Sequence, residues 1–209
     1  MYADYAIGID LGTSNSALSI TSLAEGDQIE SVEILQQVSP RGCESHQTLP
    51  SFLYLFTPQE QQQAPRLPWQ QQEPQWSIGR YAHEHGAKTT DRLVCSAKSW
   101  LCHSGIDPQQ PLLPWQSALK DRQVSPFSAQ VAYLHHLHQA LLHHLATTGR
   151  KTDLSAASIT LTVPASFDEI ARILTADAAQ QAGWGEVTLL EEQQAAFYAW
   201  LDRHQDNWR

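Results

Sequence analysis

The sequence lacks any cluster of Lys or Arg. It holds 13 Lys and Arg against 22 Asp and Glu, a formal net charge of −9. A nucleic-acid-binding face needs a basic excess, so no nucleic-acid partner is expected. No stretch approaches 18 consecutive apolar residues, so no transmembrane helix and no membrane partner are expected. The opening Met1-Tyr2-Ala3-Asp4-Tyr5 has no positive n-region, so no secretory leader is expected either. Cysteine is scarce: Cys43, Cys95 and Cys102 are odd in number and show no C-x-x-C spacing. That argues against a disulfide framework or a zinc ribbon, and for a reducing, cytoplasmic setting. The 10 glycines include no Gly-Gly pair, and charged residues are only 17% of the total. The polar surface is therefore largely amide, supplied by abundant Gln.

What is present is a chain of 209 residues, 42% hydrophobic, enough for one large or two small domains. Tyr5–Asp10 (YAIGID) reads as a buried strand, residues 11–16 as a turn, and 17–21 as a returning strand. Residues 29–36 form a third strand. Leu49 to Phe56 is a strongly β-prone run after a turn-rich loop. Thr57 to Trp76 holds four prolines and many glutamines, which predicts an irregular, poorly ordered surface excursion. Trp69 and Trp76 are the two residues able to anchor it. Short helices are expected near 79–86 and 91–101. A long helix spans 126–145, with Val131, Leu134, Leu137, Leu141, Leu142 and Leu145 on one face and Gly149 as its stop. Residues 158–163 are a strand ended by Pro164. Asp168 caps a helix through Ala182, residues 187–190 are a strand, and 193–202 a last helix. The later half alternates helix and strand, so the class is α/β.

The segment richest in chemistry is Gly8-Ile9-Asp10-Leu11-Gly12-Thr13-Ser14-Asn15-Ser16. Asp10 ends a buried strand, where a carboxylate is costly unless it meets a cation or donors. Gly12 lets backbone approach a ligand closely. The amides and hydroxyls of Thr13, Ser14 and Asn15 form an anion nest. Carboxylate plus nest suits a Mg²⁺–polyphosphate, although it is neither a Walker A loop nor G-x-G-x-x-G. The same residues also fit an ordinary hairpin with an Asp-Gly-type turn.

This hairpin resembles the first phosphate-binding hairpin of the heat-shock seventy chaperones, the DnaK-type family. The likeness continues in order through Leu49-Pro50-Ser51-Phe52, Ile78-Gly79-Arg80-Tyr81-Ala82 and Ser96-Ala97-Lys98-Ser99-Trp100-Leu101. It then runs through Leu161-Thr162-Val163-Pro164-Ala165-Ser166-Phe167, Arg172 and Ala182-Gly183. Glu191-Glu192-Gln193-Gln194-Ala195-Ala196 sits where that family has Asn-Glu-Pro-Thr-Ala-Ala. The Val-Pro-Ala segment and the Glu192 turn favour the chaperones over other actin-like proteins, such as sugar kinases or cell-shape filament proteins.

The resemblance implies an actin-like, ribonuclease-H-like lobe: a mixed sheet with helices and an inserted smaller α/β subdomain. Residues 1–38 and 126–209 would form the first part; residues 39–125 would form the insert, carrying Lys98 and the loop 57–76. It implies lobe I of the nucleotide-binding domain of a stress-response chaperone ATPase, which couples ATP to client and co-chaperone binding. Asp10 would bind Mg²⁺ through water. Gly12, Thr13, Ser14 and Asn15 would hold the phosphates of ATP or ADP. Lys98 would stabilise charge in phosphoryl transfer, and Glu192 would act near the metal or the water. Pro164 and Arg172 would couple nucleotide state to the peptide-binding domain. Taken singly, Lys98 reads as an exposed helix lysine and Glu192 as a solvated strand end. Likewise Pro164 reads as a strand terminator and Arg172 as a surface arginine.

Three departures bear on function. Glu191 replaces the family's Asn, Gln193 and Gln194 replace its Pro and Thr, and Ser99 follows Lys98 where the family has Arg. The second phosphate loop is absent, so this chain alone is expected to lack turnover. A divergent, non-hydrolysing scaffold is the alternative. The histidines of the long helix offer no shared metal geometry: His136 and His143 lie two turns, about 10 Å, apart. They read as a solvated, pH-sensitive face. Finally, Asp10, Thr13, Lys98 and Glu192 are expected to converge on one open face.

Overall fold

A computed structural model describes residues 4–23 and 28–204. β1 (Tyr5–Leu11) and β2 (Asn15–Ser22) form an antiparallel hairpin, extended by the short β3 (Glu30–Ser31). β4 (Ile34–Ser39) and β5 (Gly42–His46) make a separate hairpin. β6 (Thr48–Pro50) returns to pair with the start of β2. Next come β7 (Leu53–Leu55), α1 (Pro58–Gln63), β8 (Trp76–Ile78), α2 (Arg80–Gly86), β9 (Leu93–Val94) and α3 (Ala97–Trp100). β7 sits between β8 and β9 in a three-stranded antiparallel sheet. The chain closes with α4 (Pro126–Thr147), β10 (Ser158–Val163), α5 (Glu169–Gln181), β11 (Thr188–Glu191) and α6 (Glu192–Arg203).

The main sheet has the order β11-β10-β1-β2-β3, with β6 beside β2. β1, β10 and β11 run parallel and β2 antiparallel, so the sheet is mixed. Alternation decides which face is buried. Ile7, Ile9 and Leu11 of β1 and Ile159, Leu161 and Val163 of β10 point into the protein. Leu134, Leu137 and Leu141 of α4 and Ala178 of α5 join the same core as Ile7, Ile9 and Leu161. The opposite face carries Gly8, Asp10, Thr160 and Thr162 and is left more open.

Several expectations needed correction. Thr57 to Trp76 is irregular from residue 64 to 75, but it opens with a short helix and is anchored to the core. Thr57 accepts from the Glu60 amide while the Glu60 carboxylate accepts from the Thr57 amide, a reciprocal cap that starts α1. Leu67 is buried, and Trp69 and Trp76 pack against the main core. Residues 91–101 are not one helix. Leu93–Val94 is pulled into the sheet beside β7, and Ser96 turns through the left-handed region (φ 54°) before α3 begins. Residues 29–36 split into β3 and β4, which join different sheets.

The histidine face is only partly solvated: His135 is exposed, His143 and His144 are half-buried, and His136 is buried. His136 is 6% exposed and its Nε2–H donates to the Leu35 carbonyl at 3.0 Å. His144 Nε2 lies 2.9 Å from the Glu30 carboxylate, which Arg150 also engages at 2.9 Å. Trp69 packs edge-on against His136 and tilted on His143. The reason is that α4 is covered on two sides: by the main sheet and by β4 with the Gln-rich segment. No helix among the described residues is long and apolar enough to cross a membrane.

Candidate phosphate and metal site

The β1–β2 register ends at Leu11 opposite Ser16, leaving Gly12–Asn15 as a tight connection. A Cβ on Gly12 would lie 2.2 Å from the Asn15 carbonyl oxygen, so only glycine fits. The loop is clamped from behind. Ser51 Oγ donates to the Gly12 carbonyl at 2.8 Å, and Ser51 N donates to the Ser14 carbonyl at 2.9 Å. With its proton so used, Ser51 Oγ accepts from the fully buried Ser16 hydroxyl at 2.9 Å. The clamp leaves Thr13, Ser14 and Asn15 exposed. Gly12→Ala is expected to lower stability by about 1–3 kcal/mol, because the loop must open around the new methyl. A urea melt checks this; an unchanged midpoint would show that the turn is not tight.

Asp10 lies within β1 but on its open face, exposed rather than buried as the apolar run suggested. Alternation along a strand explains the difference: Ile9 and Leu11 face the core, and Asp10 faces away. Its Oδ1 accepts from Thr162 Oγ1 of β10 at 2.8 Å. One strand further, Thr162 is level with Leu190, and Val163 with Glu191. Asp10, the hairpin turn and Glu192 therefore share the C-terminal edge of three parallel strands. In sheets of this kind ligands collect at that edge.

Lys98 is far from an exposed helix lysine. It is 4% exposed, and its Nζ lies 2.5 Å from Glu192 Oε1. The ammonium also sits 5.8 Å from the centre of the Phe167 ring. Glu192 is more open, with 41% of its side chain accessible. Beside it, Glu191 accepts from the Arg172 guanidinium at 2.9 Å, while Arg172 Nε donates to the Phe167 carbonyl. Phe167 N in turn donates to the Pro164 carbonyl. Pro164, Phe167, Arg172, Glu191, Glu192 and Lys98 thus form one connected chain of contacts. Geometrically it is a buried cation held by a half-open carboxylate, at the strand edge that also carries the exposed Asp10 and the exposed residues 13–15 of the hairpin turn.

A family model described as "Hsp70 protein" matches residues 6–207. The chain belongs to the Hsp70 family. Among relatives, the chaperone protein HscA of Enterobacter sp. (strain 638) is 29% identical over 209 residues. The match covers 96% of this chain and 29% of the relative. HscA of Escherichia coli O139:H28 (strain E24377A / ETEC) is 28% identical over 207 residues, with the same two coverages. The chain therefore spans under a third of the length of these curated relatives. The mixed sheet with its helices fits the actin-like ATPase lobe of Hsp70 proteins.

Against that Hsp70 background, two contributors went unassigned in the sequence. Ser51 was visible only as part of a Pro-Ser strand entry, yet it fixes the loop. Thr162 holds Asp10, and its signal was its position on the polar side of an alternating strand. Gly79 of the Ile-Gly segment has φ 94°, and a Cβ there would lie 2.4 Å from Gln36 Oε1. That oxygen accepts from Arg80 N at the start of α2, so the glycine is required by a cap supplied from β4.

Proposed function

We propose that this chain is lobe I of the nucleotide-binding domain of a chaperone ATPase. In this reading residues 1–38 and 126–209 form the ribonuclease-H-like part, and 39–125 the inserted subdomain that delivers Lys98. The observation that supports it best is the Lys98–Glu192 pair at 2.5 Å, on the strand edge that also carries Asp10 and the Gly12–Asn15 loop.

The donor set fits a Mg²⁺–nucleotide. Gly12 lets the turn close tightly against the Asn15 carbonyl, and the exposed Thr13, Ser14 and Asn15 would offer the donors that phosphate oxygens need. Asp10 suits a hydrated hard cation, being an exposed carboxylate already oriented by Thr162. Mg²⁺ would supply charge neutralisation for the phosphates. Lys98 would stabilise charge developing at the transferred group, and Glu192 would orient or deprotonate the attacking water. Arg172, held by Glu191, and Pro164 would report that state to a client-binding region. Clients and co-chaperones would meet the parent protein, in the cytoplasm and under stress.

Glu191, Gln193 and Gln194 favour one second reading, a divergent module that binds nucleotide without turnover. The parent protein decides between them. Asp10→Asn is expected to weaken Mg·ATP binding about tenfold or more, since it removes a charged acceptor. Steady-state hydrolysis above background in the wild type supports the ATPase. Binding without hydrolysis supports the scaffold, and affinity unchanged by Asp10→Asn rejects both.

A further inference from the structure

We propose that residues 55–124 carry a second binding site, which takes a single carboxylate of a peptide. The sequence shows no cluster of Lys or Arg, but the fold brings two arginines together. Arg92 stands on the turn Thr90–Arg92 and Arg122 on the turn Lys120–Arg122. Ser117 ties the two segments, its Oγ donating to the Asp91 carbonyl at 2.8 Å. Both guanidiniums reach the carbonyl oxygen of Phe56, just past β7: Arg122 Nη1 at 3.2 Å and Arg92 Nη1 at 3.5 Å.

That arrangement is the observation that points to a ligand. Two cations share one neutral acceptor. Ion pairs engage Arg66, Arg80, Arg150 and Arg172, but no carboxylate among the described residues pairs with Arg92 or Arg122. Asp91 and Asp121, their neighbours in sequence, form no ion pair either. A guanidinium has five N–H donors. Here only Nη1 of each is engaged, by the Phe56 carbonyl and, for Arg92, also by that of Leu55. Both arginines are half-buried, so their repulsion is poorly screened. An anion placed between them would replace that repulsion with charge-assisted hydrogen bonds.

The surroundings select the class. Arg122 lines a cavity of about 470 Å³ together with Leu55, Trp76, Val124, Gln61 and Gln75. That volume is far more than one small ion needs and suits a short peptide segment. Leu55, Trp76 and Val124 offer an apolar wall to a neighbouring side chain. The side-chain amides of Gln61 and Gln75 have no partner among the described residues, and amides both donate to and accept from a peptide backbone. Asp121 also lines the cavity and is exposed. Its charge opposes a second negative charge, which favours one carboxylate over a phosphate dianion or an acidic run.

The test is ¹H–¹⁵N NMR on the 209-residue chain, following the Nε–H signals of Arg92 and Arg122. Arg92→Gln and Arg122→Gln assign them. The probes are acetyl-Leu-Glu-amide, acetyl-Gln-Leu with a free C-terminal carboxylate, the uncharged acetyl-Leu-Gln-amide, and inorganic phosphate. At least one carboxylate peptide is expected to saturate both signals with a Kd of about 1 mM or below. The tighter of the two shows whether a side chain or a chain end is the natural source. The uncharged peptide is expected to bind at least about tenfold more weakly. Arg122→Gln keeps a donor for the Phe56 carbonyl and removes one of two like charges. It is expected to leave the urea midpoint unchanged or raised and to weaken peptide binding about fivefold, and Arg92→Gln to do the same. No saturable shift with either carboxylate peptide, or equal affinity for the uncharged one, would overturn the proposal. So would phosphate saturating these signals more tightly than either peptide, or affinity indifferent to both substitutions.

Discussion

Replacing Lys98 with Ala is expected to lower ATP turnover by the parent protein about 10²–10³-fold, with a much smaller effect on folding. The asymmetry follows from burial. Lys98 is 4% exposed, whereas its partner Glu192 keeps 41% of its side chain accessible and can be solvated when the ammonium is gone. The fold therefore loses little. Chemistry loses more, because Lys98 is a preorganised cation at the edge where the phosphates are proposed to lie. It needs no reorganisation when charge develops. Lys98→Arg is not expected to restore the rate. A planar fork cannot occupy the site of a buried point charge held 2.5 Å from one oxygen. Single-turnover hydrolysis with saturating Mg·ATP is the check. Wild-type rates in Lys98→Ala would reduce the ion pair to a structural tie.

A second large effect is expected in acid, and it arises from His136. Burial pushes its pKa down to about 4 from an ordinary 6.5, with the nearby His135 charge adding in the same direction. The Leu35 carbonyl bond opposes this only partly. The unfolded chain therefore takes up a proton below pH 6.5 that the folded chain refuses until about pH 4. Stability from this group is complete above pH 6.5 and falls as pH drops through that window, by roughly 3 kcal/mol in all. At pH 5.0 the loss is about 2 kcal/mol. His136→Gln keeps a donor for the Leu35 carbonyl and removes the titration. Urea melts at pH 7.5 and 5.0 should show wild type losing about 2 kcal/mol more than the variant. Parallel losses would mean that His136 is already protonated in the folded state.

The elements that the sequence predicts well are those whose local signals agree with their tertiary fate. The apolar stripe of α4 and the strand Ser158–Val163 are of this kind, as is the helix capped by Asp168. The misreadings have physical causes. Thr57-Pro58-Gln59-Glu60 carries a capping box with proline at the first helical position, which starts a helix. Four prolines read as breakers hid that signal. Leu93–Val94 joins a sheet because β7 offers it an edge, which no local propensity reveals. His136 reads as surface because the layer that buries it comes from residues about 100 positions earlier.

The site divides in the same way. The Gly12–Asn15 turn was legible because glycine and hydroxyl spacing is local chemistry. Lys98 and Glu192 are 94 residues apart, and nothing near either of them announces the pair. Only the family resemblance singled them out. Ser51 had no assigned role, because a serine that braces a loop from behind looks like any other serine.

The central claim is that the edge carrying Asp10, Gly12–Asn15, Lys98 and Glu192 receives a nucleotide's phosphates. Titrating Mg·ATP into the ¹⁵N-labelled chain, with Asp10→Asn alongside, tests it most directly. Half of a two-lobed cradle must still offset several kcal/mol of lost translational and rotational freedom. The expected result is weak binding, with Kd above about 1 mM. The shifts should centre on the Gly12–Asn15 amides, extend to Glu192, and disappear in Asp10→Asn. Shifts confined to other surfaces, or unaltered by Asp10→Asn, would contradict the site. Micromolar affinity abolished by Asp10→Asn would keep the site but contradict its dependence on a second lobe.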